Sequence, residues 1–144
     1  MNEPKYAGFW RRFAAYMIDG IVIVFALTQF QIFLSYALRA SIPDWDTVLQ
    51  SMNITIALIS LPLAWTYFSG MESSPLQATI GKLAVGIYVT DLQGQRISFG
   101  RATGRFFGKI LSGVILYIGY LMAGFTAKKQ ALHDMLSGCL VLSK

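Results

Sequence analysis

Two charged side chains, Arg12 and Asp19, stand seven residues apart in the apolar stretch Phe9-Trp-Arg-Arg-Phe-Ala-Ala-Tyr-Met-Ile-Asp-Gly. At 100° per residue, seven steps return almost to the starting direction, so on a helix both project from one face with Tyr16 between them, roughly 10 Å apart along the axis. An arginine and a carboxylate so placed have two chemical uses. The carboxylate can take up and release a proton or cation while the guanidinium tunes it, because neighbouring charge and burial act in opposite senses on proton affinity. Alternatively the pair belongs to a buried ionic network, in which removing one member costs roughly 3–5 kcal/mol. Ionisable groups in or at the edge of a membrane span face protein or water and are functional candidates by default.

A third candidate is Asp134, in Gln130-Ala-Leu-His-Asp-Met-Leu-Ser-Gly. Near lipid it needs a partner, and Arg12 is the available one if the tail lies on the N-terminal side of the membrane. Tyr16 and His133 take supporting positions in the resulting Arg12, Asp19, Asp134 cluster. His133 is the sole histidine and Cys139 the sole cysteine. Since a structural metal site needs about four ligands, neither a metal nor a cofactor is expected, and Cys139 reads as packing. Gly81-Lys82 is not a phosphate loop, because Leu76 stands where that motif requires its first glycine and Leu83 where it requires Ser or Thr. No nucleophile has a base at useful spacing, and His133 and Asp134 point about 100° apart on a helix. The chain is not expected to be an enzyme.

Four further cations, Lys82, Arg101, Arg105 and Lys109, read as lipid head-group or interface contacts. The last three form a helical stripe beside Gly100, Gly104 and Gly108. Each contributes on the order of 1 kcal/mol near anionic lipid. The net charge of +5 flanks apolar runs and forms no separate basic domain, which argues against nucleic acid as a partner.

The elements that must carry these residues follow from the apolar runs. The chain of 144 residues is 55% hydrophobic and 13% charged, about half the charge of a soluble domain, so a single membrane domain is expected. Residues 20–38 are uncharged and, with the turns before them, long enough for the roughly 20-residue crossing of a bilayer. That length exceeds a signal-peptide core, so the helix is expected to remain in the mature chain. Val48 to Met71 is a second span, interrupted by Pro62, where a kink is expected. Thr28, Gln29, Gln31, Asn53 and Thr55 are polar points in the spans and read as helix-helix hydrogen bonds, and Trp45 in the intervening loop suits the interface. Lys5, Arg11 and Arg12 before the first span place the N-terminus in the cytoplasm.

Ile110 to Ala127 is a third uncharged run that either crosses or turns back around Gly119. The return is favoured, because it leaves the tail, like the N-terminus, in the cytoplasm. Val85, Ile87 and Val89 alternate with smaller or polar residues, the turn Asp91-Leu-Gln-Gly94 follows, and Arg96-Ile-Ser-Phe99 is the expected return strand of a small cytoplasmic hairpin. Leu140-Val-Leu142 is a further strand candidate for the same sheet. The expected fold is an all-α membrane protein: a small helical bundle with two clear transmembrane helices, a third short span or re-entrant segment, and that hairpin.

Three stretches, Phe9-Trp-x-Arg12-x-x-Ala15-x-x-Ile18-Asp19, Thr79-x-Gly81-Lys82-x-x-x-Gly86 and Gln130-Ala-Leu-His-Asp134 with Gly138, together resemble the ordered motifs of the RDD family of small membrane proteins. The resemblance covers nearly the whole chain, with Ile80 where the family often has proline. The arginine and two aspartates of the family's name map onto Arg12, Asp19 and Asp134. The resemblance implies an integral protein of the cell inner membrane, with cation/proton transport as the activity described for some members. Two or three short helices cannot enclose an alternating-access path, so transport would require a homo-oligomer. The competing expectation is a structural or adaptor module, in which the same cluster fixes helix packing and a partner protein docks. In either case anionic lipids of the bilayer are expected neighbours.

Overall fold

A computed structural model describes residues 5–42, 44–114 and 118–144, without the side chains of residues 40, 45, 46, 114 and 118–120. The interfacial position expected of Trp45 lies outside the described residues. Two long helices, α1 (Phe9–Leu38) and α2 (Trp45–Ser73), are each about 45 Å long at 1.5 Å per residue and apolar enough to cross a membrane. A short 3-10 turn over Arg39–Ser41 follows α1. The two helices are antiparallel: Gln31 Nε2 donates to Asn53 Oδ1 at 2.7 Å towards the loop, and Tyr67 Oη donates to Asp19 Oδ1 at 2.8 Å towards the other end. The helix α2 continues through Pro62, whose carbonyl accepts from the Thr66 hydroxyl.

The burial pattern is inverted with respect to a protein folded in water. Ile21, Val24, Phe25 and Leu58 are 64–73% exposed, whereas Asp19, Glu72, Arg105 and Asp134 are all at 2% or below. The spans present their apolar side chains outwards and gather their polar groups at one end of the pair.

That end carries a cap of short elements: α3 (Ile80–Ala84), β1 (Ile87–Asp91), α4 (Phe99–Val114), α5 (Ile118–Phe125), α6 (Leu132–Leu136) and β2 (Cys139–Ser143). The expected hairpin is corrected here. Its turn is present, with Gly94 N donating to Asp91 O, but Arg96-Ile-Ser-Phe99 is not the return strand. The Ser98 hydroxyl accepts from Arg101 N and its carbonyl from Ala102 N, so the segment is committed to starting α4. β1 pairs instead with β2, antiparallel, and Tyr6 bridges Leu142 on the other edge of β2. Ile87, Val89, Cys139 and Val141 are fully buried and, with Ala7, Ala15, Ile97 and Ala102, form the apolar core. The molecule is mostly helical, with a two-stranded antiparallel sheet.

The cap repeats one plan at an offset of 52 residues. Gln77 and Lys129 both have positive φ, at 52° and 46°; Thr79 and Ala131 are the extended residues that open α3 and α6; Gly86 and Gly138 turn into the strands at φ 68° and 61°. The sheet register pairs Val89 with Val141, residues at equivalent positions, so the strands meet about a local two-fold axis. Each copy also packs on a preceding helix: a Cβ at Gly81 of α3 would lie 2.0 Å from the Ala15 carbonyl of α1, and one at Gly108 of α4 would lie 3.0 Å from His133 Cβ of α6. Helix pair, short helix and strand therefore occur twice, first with the long α1 and α2, then with the short α4 and α5. The third apolar run is the shortened pair. Lys109 before it binds Glu72 of α2, and the Lys129 carbonyl after it accepts from Arg12 of α1, so both ends of the run stay at one end of the long helices. A crossing of roughly 30 Å would separate them. The connection expected to turn near Gly119 includes residues 115–117, which lie outside the described residues.

Candidate functional site

The polar end of the helix pair holds two centres. The first is built on Asp134 and Glu72. Asp134 stands in the first turn of α6 and accepts from Ala131 N at 3.1 Å, so its own helix start orients it. Arg12 donates Nη1 to Asp134 Oδ2, Nε to the Ala7 carbonyl at 3.0 Å and Nη2 to the Lys129 carbonyl at 2.6 Å. Arg105 of α4 donates Nε to Asp134 Oδ1 at 2.8 Å and Nη1 to Glu72 Oε2 at 2.9 Å, bridging the two carboxylates through its planar fork. Glu72, in the last turn of α2, also binds Lys82 of α3, and Lys109 of α4 at 3.1 Å. The Lys109 ammonium further lies 4.7 Å from the Phe68 ring centre. One network thus joins α1, α2, α3, α4 and α6.

Burial alone would raise the Asp134 carboxyl, but Arg105 and Arg12 overcome it and hold the group well below the usual carboxylate range. For Lys82 the balance goes the other way. Burial pushes the ammonium down to about 7 against the attraction of Glu72, and the cations Arg105 and Lys109 add to the depression. His133 is lowered by burial to about 3 and is neutral at pH 7. Its Nδ1 faces the Ser112 hydroxyl at 3.4 Å, and its Nε2 lies 3.5 Å from Asp134 Oδ1.

The second centre is Asp19. Its Oδ1 accepts from Tyr67 Oη and Gly81 N, both at 2.8 Å, and its Oδ2 accepts from the Thr79 hydroxyl at 2.5 Å. The Tyr67 oxygen in turn accepts from Ile80 N at 3.1 Å, which closes a ring among α1, α2 and the start of α3. Only glycine at position 81 lets α3 approach α1 closely enough to deliver that amide.

The expected three-member cluster therefore divides. Arg12 and Asp134 meet as expected; Asp19 does not join them, and takes neutral donors from Tyr67, Thr79 and Gly81 instead. His133 borders the network, whereas Tyr16 is 60% exposed. Lys82 and Arg105, expected at lipid head groups, are instead buried against carboxylates, since Glu72 offers each a partner within the fold. Lys109 shares Glu72, and Arg101 alone of the four is exposed, 3.7 Å from Asp91. The residues missed from the sequence are Glu72, Tyr67 and Thr79. Glu72 had a signal: it is the first charge after the second apolar run, at the edge of a span.

Between α1, α4 and α5 these groups border a cavity of about 390 Å³. Arg12, Lys82, Arg105 and Lys109 line one side and aromatic rings much of the rest.

The chain is 35% identical over 154 residues to "Uncharacterized protein YxaI" of Bacillus subtilis (strain 168), across 100% of both chains. It is 26% identical over 143 residues to "Uncharacterized membrane protein YteJ" of the same organism, covering 95% of this chain and 80% of the relative. A third relative there, "Uncharacterized protein YckC", is 26% identical over 98% of this chain and 87% of its own. No solved structure matches the chain. The model of the RDD family matches residues 6–138, and the chain belongs to that family.

Proposed function

We propose that this protein is a membrane-embedded structural and docking module, in which the charged residues lock the cap onto the helix pair and do not conduct ions. The observation that carries this reading is saturation. Asp19 accepts three hydrogen bonds from the protein itself, Asp134 is held by two arginines and a backbone amide, and Glu72 by three cations. A carboxylate that exchanges a cation needs oxygen lone pairs free to receive it, and of the roughly four sites on each carboxylate fixed donors take three on Asp19 and Glu72 and all on Asp134. The lysines and arginines at the sheet end, against Asp44 and Asp46 between the spans, support a cytoplasmic position for that end by the positive-inside rule.

A second reading, proton or cation exchange by a homo-oligomer, draws on one observation: Lys82, with its proton affinity near neutrality, borders the cavity. Reconstitution in liposomes with an internal pH-sensitive dye separates the two. An imposed cation gradient is expected to drive no proton movement through wild-type protein. Movement that wild type shows and folded Asp19→Asn or Lys82→Met lacks would overturn the structural reading.

A further inference from the structure

The cavity has a chemical asymmetry that the locking role does not use. Among the described residues of the network that borders it, Arg12, Lys82, Arg105 and Lys109 face two carboxylates, Glu72 and Asp134, an excess of positive charge. Counting Asp19, which is bound by three donors of its own, leaves the balance positive. Burying like charges together without a counter-ion is unfavourable, and the depressed proton affinity of Lys82 is one sign of that crowding. The Arg12 and Lys109 side chains keep 13% and 17% of their surface exposed, so neither is sealed behind its carboxylate.

Much of the remaining lining is apolar. Phe9, Phe13 and Tyr16 come from the first turns of α1, and Leu121 from α5. Phe13, Tyr16 and Leu121 are 47%, 60% and 47% exposed on the outer surface, so the cavity opens sideways between α1 and α5. These turns are at the polar end of a helix whose remaining exposed surface is mostly apolar, with Thr28 and Gln29 the polar exceptions between Ile21 and Phe33. An opening there lies at the depth where lipid head groups meet acyl chains. Its volume of about 390 Å³ falls within the range of small-molecule sites, apolar walls with a few convergent polar groups.

We propose that this cavity binds an anionic amphiphile of the bilayer, its phosphate head against Lys109 and Arg12 and its chains leaving between Phe13, Tyr16 and Leu121. A phosphodiester supplies the missing negative charge and several acceptor oxygens, and a tail that leaves sideways stays in hydrocarbon. A soluble phosphate would match only the charged side. The inference rests on the reading of the network as a fixed lock, because only a static set of cations presents a lasting site.

The test uses full-length protein carried from phosphatidylglycerol or phosphatidylcholine vesicles into mild detergent and weighed by native mass spectrometry. One phosphatidylglycerol per chain is expected to be retained, with a preference of about tenfold or more over phosphatidylcholine. Lys109→Gln should reduce that preference. Ala123→Trp, whose side chain enters the cavity from α5, should abolish retention; if it fails to fold, Leu121→Trp at the exposed wall serves instead. Equal retention of both lipids, or retention unaffected by the folded tryptophan variants, would overturn the proposal. So would inorganic phosphate raising Tm as much as phosphatidylglycerol does, since the site would then be one for a free anion. Ion flux is read separately in the liposome assay: flux with lipid retained sinks only the locking role, and lipid lost without flux sinks only this site.

Discussion

Glu72→Gln is the most discriminating single change, because the side chain keeps its shape and loses only the charge that holds three cations together. Arg105 and Glu72 are 2% and 1% exposed at their side chains and lie 2.9 Å apart. Lys82 and Lys109 share the other carboxylate oxygen. Removing the anion leaves Arg105 with Asp134 alone and strips two lysines of their partner, so the expected loss of stability is roughly 3–5 kcal/mol, the cost of an uncompensated buried charge. The matched control is Arg101→Gln: that arginine is 52% exposed and 3.7 Å from Asp91, and an exposed pair of this kind contributes about 0–1 kcal/mol. Unfolding in mixed micelles of mild detergent and dodecyl sulfate, followed by tryptophan fluorescence, measures both. A double change, Glu72→Gln with Lys82→Met, should recover part of the loss, since one orphaned cation goes with the anion. If Glu72→Gln unfolds within about 1 kcal/mol of wild type, the network is not the lock described above and the saturation argument fails with it.

Four other outcomes follow from the same geometry. Gly81→Ala drives a methyl group to 2.0 Å from the Ala15 carbonyl and withdraws an amide from Asp19, so folded protein recovered by size exclusion should fall sharply, by more than the ~1–3 kcal/mol of ordinary overpacking. Arg12→Lys keeps the charge but cannot reach the Ala7 and Lys129 carbonyls and Asp134 together, and should lower Tm where a purely electrostatic role would leave it unchanged. Lys82 has a folded-state pKa of about 7 against 10.5 in the unfolded chain, so the unfolded state binds more protons between those values. Stability should rise with pH across that interval, and Lys82→Met should flatten the rise. His133, lowered to about 3, adds a second rise between pH 3 and 6.5, below which its burial penalty is complete. Finally, single cysteines at Arg96 and Lys144 should label from the same face of sealed vesicles, because β1 and β2 are paired; labelling from opposite faces would refute the returning third run.

Periodicity and charge spacing were enough to read the two long apolar helices and the meeting of Arg12 with Asp134 from the sequence, since each follows from local composition or from what a buried charge requires. The sheet partner was not readable. Arg96-Ile-Ser-Phe99 and Cys139-Leu-Val-Leu-Ser are both plausible strands in one dimension, and the choice is made by Ser98 capping α4 and by β2, whose two backbone edges pair with β1 and with the segment around Tyr6. The repeat was hidden for another reason. Over residues 77–91 and 129–143 the copies share only Gly86 with Gly138 and Val89 with Val141, so what recurs is a set of backbone conformations and not a set of side chains.

The same comparison explains why the cations were misplaced. Arg101, Arg105 and Lys109 form a basic stripe on α4, and in water such a stripe faces solvent. Here Phe99, Phe107, Ile110 and Leu111 face outwards, while Arg105 and Ser112 face in. An amphipathic pattern fixes which residues share a face but not which face is buried; the surrounding medium decides that. Since the apolar faces of α1, α2 and α4 all point away from the protein, the medium that completes this fold is hydrocarbon, and the interior is where its charges find partners. A charged residue near a span in such a chain should therefore be matched first against opposite charges elsewhere in the fold, as Glu72 matches Arg105, and assigned to lipid head groups only when that match fails.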